Sequence, residues 1–192
     1  MLIIASYTAA VCIKQKGVLA SISATFYRLE HKNWFMATTW LTAGLLMPAI
    51  LEVSRPDTEF LAFLACAGMF LVGAAPNFKE DFEGDIHELG AICCIVGSQL
   101  WVMFNCPWCL LVWVAYVVYT IVMMTRHVSD SVIADFYRTK PMFWVEIAAL
   151  LATYMSCLLY TSDAFKRWLF TIRQETFYLT SRWTMTAIVT GR

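Results

Sequence analysis

The sequence predicts an all-α, polytopic integral membrane protein, a six-helix transmembrane bundle. Three observations lead there. Apolar residues make up 60% of the 192 and charged residues only 15%, whereas a soluble domain carries about 25% charged residues. Uncharged runs long enough to cross a bilayer alternate with short charged segments. Where one run is too long for a single crossing, proline interrupts it.

The spans follow in order. Asn33 to Leu51 and Phe60 to Phe78 carry no charge, and each matches the roughly 20 apolar residues that a helix needs to cross hydrocarbon. Leu89 to Thr125 is also uncharged, too long for one span. Asn105-Cys106-Pro107 breaks it, because proline removes a donor and pushes the preceding residue out of the helical region. Two antiparallel helices joined by a tight turn result. Pro141 to Ser162 forms the last span, with Glu146 its single charge and proline suited to a first helical turn.

The amino end differs. Met1 to Ile13 is apolar but short, and Lys14 and Lys16 follow it. A signal peptide would place basic residues before its apolar core and small residues after it, so the sequence predicts a short, uncleaved first span and then an interfacial segment. Residues 1–162 thus form the membrane domain and residues 163–192 an amphipathic, interfacial tail.

Orientation comes from the basic residues. With the amino terminus outside, Lys14, Lys16, Arg28, Lys32, Lys79, Arg126, Arg138 and Lys140 fall inside, and Arg55 alone lies in an outer loop. The tail, with Lys166, Arg167, Arg173, Arg182 and Arg192, runs against that asymmetry. The cell membrane, as a bacterial inner membrane crossed several times, is the expected location. The bilayer is the expected partner, together with further copies of the chain if a continuous polar path is to be enclosed.

One segment, "EDFEGDIHELGA" at residues 80–91, concentrates five carboxylates and a histidine beside an uncharged run. It reads as the inner loop between the third and fourth spans, with Asp85 and Glu88 at the spacing of a helix amino-terminal cap. His87 is not used up by that reading. His31 before the second span, His87 at the fourth and His127 after the fifth share one membrane face, and Glu146 reaches the same level. An intramembrane carboxylate is a functional candidate by default. His87, Glu146, His127, His31 and Asp85 are therefore the candidates for a polar or proton route, a headgroup site or, with zinc, a metal site. The simpler alternative is separate interfacial side chains, with Glu146 snorkelling to the surface.

The opposite face carries Cys106 and Cys109 in a C-P-W-C, a candidate redox pair, with Cys157 on the same side. Membrane thiol oxidoreductases pass electrons through a second cysteine pair at such a face, which this sequence does not supply, so a structural disulfide or two thiols is the plainer reading. Ser21 and Ser23 have no base near them in sequence. Glycine-rich phosphate loops, H-E-x-x-H and G-x-S-x-G motifs are absent from the sequence. Basic and acidic residues balance at 14 each, which argues against nucleic acid. Gly68, Gly73, Ala74 and Ala75 form a slim helix face ahead of Pro76.

A span ending in "GAAPNF", a polar segment and a helix opening "GDIHELGA" resemble the small six-span bacterial integral membrane proteins grouped as a family of unknown function. The likeness covers residues 1–160 and implies a six-helix bundle of unassigned activity. A more distant resemblance, to the membrane hydrolases that include alkaline ceramidases, implies a zinc held by histidines near one membrane face. Those enzymes carry H-x-x-x-H on their last helix, and the sixth span here has no histidine. A zinc site in this chain would have to be built between helices from His31, His87, His127 and Glu146. Three functions remain: a non-enzymatic transporter, channel or lipid-binding bundle, which the sequence favours; an intramembrane metal-dependent lipid hydrolase; and a thiol oxidoreductase at Cys106 and Cys109.

Overall fold

The computed structural model describes residues 2–126 and 131–161. Among them the secondary structure is helical without strands: α1 (Leu2–Lys14), α2 (Asn33–Glu52), α3 (Glu59–Ala74), α4 (Asp81–Asn105), α5 (Leu111–Arg126), α6 (Val132–Arg138) and α7 (Pro141–Thr161). Short 3-10 turns at Ser23–Arg28, Pro56–Thr58 and Pro107–Leu110 lie between them. Met1–Ser156 is one compact unit and Cys157–Arg192 another. The expected interfacial tail, 163–192, lies outside the described residues.

Among the described residues, five helical stretches are long and apolar enough to cross a membrane: Asn33–Glu52, Pro56–Ala74, Asp81–Asn105, Pro107–Arg126 and Pro141–Tyr160. They correspond to five expected spans of a multi-pass membrane protein. Leu2–Lys14 is apolar but has only 13 residues, about 20 Å at 1.5 Å per residue, against about 30 Å of hydrocarbon.

Two boundaries differ from the sequence reading. The third span ends at Ala74 rather than Phe78, because Pro76 cannot continue the helical ladder. The acidic segment is not a loop capped by Asp85. Helix α4 starts at Asp81, with Asp81 and Glu83 in its first turn, where carboxylates meet the positive end of the helix dipole. Glu83 Oε2 accepts from the Asn77 N–H at 3.2 Å, and Asp85 is an exposed residue of the helix interior.

Lipid tails are as apolar as leucine, so packing rather than hydrophobic exclusion must hold these helices together. Helices α3 and α4 do so by backbone approach. A Cβ placed on Gly68 would lie 2.4 Å from the Cys94 nitrogen and 2.5 Å from the Gly90 oxygen, and one on Gly97 would lie 3.0 Å from the Ala65 nitrogen. Gly73 serves a different neighbour, since the Trp40 indole of α2 lies 2.6 Å from its Cβ position and Nε1 donates to the Phe70 carbonyl at 3.1 Å. Within α2, the hydroxyls of Thr38, Thr39 and Thr42 each donate to the carbonyl four residues earlier, which satisfies them in an apolar medium. At the far end of α4, Asn105 accepts from the Arg55 N–H and donates to Thr58 Oγ1 and the Trp101 carbonyl, each at about 3 Å. The buried Trp101 gives its Nε1–H to Ser54 Oγ at 2.7 Å. The loop between α2 and α3 is thereby clamped to α4.

The contacts at Gly68 give opposite expectations for two helix glycines. Gly68→Ala gains helix propensity, yet its methyl meets backbone that cannot yield, so a net loss of about 2 kcal/mol is expected. Gly44 has nothing within 4 Å, and Gly44→Ala should stabilise by up to about 1 kcal/mol. Unfolding of both variants in the same detergent checks the contrast.

Candidate functional site

The site is built around chain that is not helical. Between α1 and the 3-10 turn, residues 17–22 have no ladder of their own. The start of α7 and the residue before it pair three of their backbone groups. The Lys140 ammonium donates to the Val18 carbonyl, the Phe143 N–H donates to the Ala20 carbonyl at 3.1 Å, and the Ile22 N–H donates to Glu146 Oε2. The Phe143 N–H is one of the orphan donors in the first turn of α7, so this contact serves both segments.

Glu146 therefore does not snorkel to the surface. It is half-buried, and Ser23, the residue after Ile22, stands close enough to act on its carboxylate electrostatically. Ser23 is buried at the head of the 3-10 turn and meets His87 of α4, its Oγ 3.0 Å from Nε2. The other ring nitrogen, Nδ1, lies 2.8 Å from the Ala75 carbonyl. A carbonyl can only accept, so Nδ1 carries the hydrogen and the Nε2 lone pair of the neutral ring faces Ser23. Phe78 packs on the imidazole with centroids 5.0 Å apart, and His87 is buried.

Hydrogen counting then fixes what this chain of groups can do. Neutral His87 offers an acceptor at Nε2, ionised Glu146 offers another, and Ser23 has one hydroxyl hydrogen to give. The Ile22 N–H already supplies the carboxylate with a donor, which leaves the hydroxyl to Nε2, and an additional proton can be placed in two ways. Placed on Glu146, it donates to Ser23, which donates to His87; placed on His87 Nε2, it donates to Ser23, which donates to Glu146. Both arrangements leave every group bonded, so this set of groups can accommodate one proton at either end.

The five sequence candidates separate accordingly. His87 and Glu146 come together through Ser23. His31 is exposed just before α2 and its side chain makes no hydrogen bond among the described residues, Asp85 is exposed on α4, and His127 lies outside the described residues. No group of three or more His, Cys, Asp or Glu side chains among the described residues is placed to hold a metal ion. Both ring nitrogens of His87 are engaged, so the residues present do not fit the zinc site that the hydrolase resemblance implies. Ser23 is the member of this set that sequence reading sets aside. Its partner stands 64 positions away, and no local spacing signals it.

At the other end of α4, Cys106 and Cys109 are buried free thiols with Sγ atoms 3.5 Å apart. Burial, then the hydrogen bond and charge of Cys109, push the Cys106 thiol up to about 11. The thiolate is the reactive species, so Cys106 is a poor nucleophile at neutral pH. Its raised value means that the proton is lost only as pH climbs towards 11. Alkylation of Cys106, followed by site-resolved mass spectrometry under native conditions, should accelerate about tenfold per pH unit from pH 7 to near pH 10. An ordinary thiol would level off near about pH 8.5. No protein-family model, curated protein or solved structure matches this chain.

Proposed function

We propose that this chain is a six-span, non-enzymatic membrane protein that passes protons between Glu146 and His87 through Ser23, coupled to movement of a small solute. The observation that carries this reading is the pairing of Ser23 Oγ with His87 Nε2 at 3.0 Å next to Ile22, whose N–H the Glu146 carboxylate accepts. Such a chain relays a proton by exchanging hydrogens along it, without moving a heavy atom far. The Ala75 carbonyl on the far side of His87 cannot take a proton onward. Release therefore requires the imidazole to leave that carbonyl, which ties proton movement to a change of conformation, as coupled transport demands. The interrupted first span supports the same reading, because transporters place their sites where helices break near membrane depth. In this proposal α1 and the segment after it make the sixth span, in a bacterial inner membrane, with the amino terminus outside as the lysine and arginine distribution favours.

Acyl transfer at Ser23 has less support, although a serine, a base and a carbonyl that orients the base stand in a row. An oxyanion forming near Ser23 would face a carboxylate instead of donors, and the Ile22 N–H is already held by that carboxylate. The raised Cys106 thiol likewise gives little support to dithiol redox.

The test is proton flux into liposomes that hold the purified protein and a pH-sensitive dye, driven by a potassium diffusion potential. Protein-dependent flux is expected, reduced about 100-fold in Glu146→Gln and in Ser23→Ala, the scale of losing a positioned proton-transfer group. The glutamine oxygen still accepts from Ile22, so the fold is retained. Flux no greater than in protein-free liposomes, or unchanged in both variants, overturns the proposal.

A further inference from the structure

A second feature lies on the other side of the segment that follows α1. An apolar groove of about 180 Å³ is lined by Tyr7, Ala10, Val11, Lys14, Leu29 and Trp34. The Tyr7 hydroxyl is tied to Thr25 Oγ1 at 2.7 Å, and Trp34 is 63% exposed. An exposed tryptophan beside a lysine suits the headgroup level of a bilayer, and Trp34 and Lys14 both line this groove. Helix α1 is too short to fill the hydrocarbon thickness beside it.

Lys14 is the charged residue among those lining the groove. Lys16 follows it by two positions, Arg28 adjoins the lining residue Leu29 and Lys32 precedes Trp34 by two, with Glu30 the single acid between residues 14 and 32. The Lys32 ammonium sits over the Phe26 ring at 5.0 Å, and Lys14 reaches Glu30 only at 3.5 Å in an exposed pair. Lys16 and Arg28 make no side-chain hydrogen bond or ion pair with the described residues.

Lys16 is also held in an unfavourable backbone conformation. Its φ is 54°, in the left-handed region where glycine is the default. The Lys16 N–H donates to Ile13 and the Gly17 N–H to Cys12, both at 3.1 Å, the pairing that ends many helices with glycine at this position. A lysine kept where glycine costs less indicates use of its side chain.

We infer that this groove seats an acyl chain of one anionic glycerophospholipid, whose phosphate lies against Lys14 and Lys16. A zwitterionic lipid would fill the groove and leave the surplus positive charge unmatched. A second copy of the chain would bring its own cations to it.

The experiment compares phosphatidylglycerol with phosphatidylcholine of identical chains, each added to delipidated full-length protein in a neutral detergent. Native mass spectrometry counts retained lipid, and a thermal melt follows folding. The parent should retain one phosphatidylglycerol in preference to phosphatidylcholine. Lys14→Gln and Lys16→Gly should each reduce that preference about fivefold. Lys16→Gly relieves the backbone, so it should melt higher in detergent alone while binding phosphatidylglycerol less, which misfolding could not produce. Ala10→Trp fills the groove without altering charge and should lose retention of the bound lipid. Equal retention of the two lipids by the parent, an unchanged preference in both lysine variants, or full retention in Ala10→Trp overturns the inference. A dimer that survives delipidation and cross-links through Trp34 would assign the groove to a second copy, and likewise overturns it.

Discussion

The structure depends on how a stretch of non-helical backbone is paired by a helix far along the chain. Residues 17–22 do not bond among themselves as a helix would. The first turns of α7 provide the ammonium of Lys140, the N–H of Phe143 and the carboxylate of Glu146 as partners. Glu146 is thus placed by backbone chemistry before any function is asked of it. That placement brings Ser23 beneath the carboxylate, and Ser23 in turn meets His87. Remove the unsatisfied backbone from the argument and none of these three side chains has a reason to meet.

Packing in the same region follows from a different constraint. Helices that cannot gain from expelling lipid must approach closely, and glycine on both α3 and α4 allows it. The register set by Gly68, Gly90 and Gly97 fixes α4 against α3. That register holds His87 level with the Ala75 carbonyl, just past the end of α3. Small residues therefore determine more than helix spacing; they set the tautomer of the histidine, since Nδ1 must donate to that carbonyl.

Much of the architecture was legible in the sequence because charge-free runs and proline positions are local signals. Asn105-Cys106-Pro107 marks a real break, Pro141 opens α7, and Pro76 stands beyond the end of α3. The start of α4 was misread because a D-x-x-E pattern at Asp85 resembles a cap, while the helix begins one turn earlier on Asp81 and Glu83. The site was half legible. His87 and Glu146 stood out as polar groups in apolar surroundings, but Ser23 did not, since a serine near a membrane surface has no distinctive pattern. What makes it distinctive is a pair of contacts with residues far along the chain, and periodicity carries no information about those.

The stitching of residues 18–22 to residues 140–146 also has a meaning in the order of synthesis. The partners are separated by 122 positions for Lys140 and 124 for Glu146, so the early segment leaves the ribosome long before the helix that completes it. The contacts that pair residues 18–22 with residues 140–146 can therefore form only once α7 has been made, although the segment they complete is among the first to be synthesised.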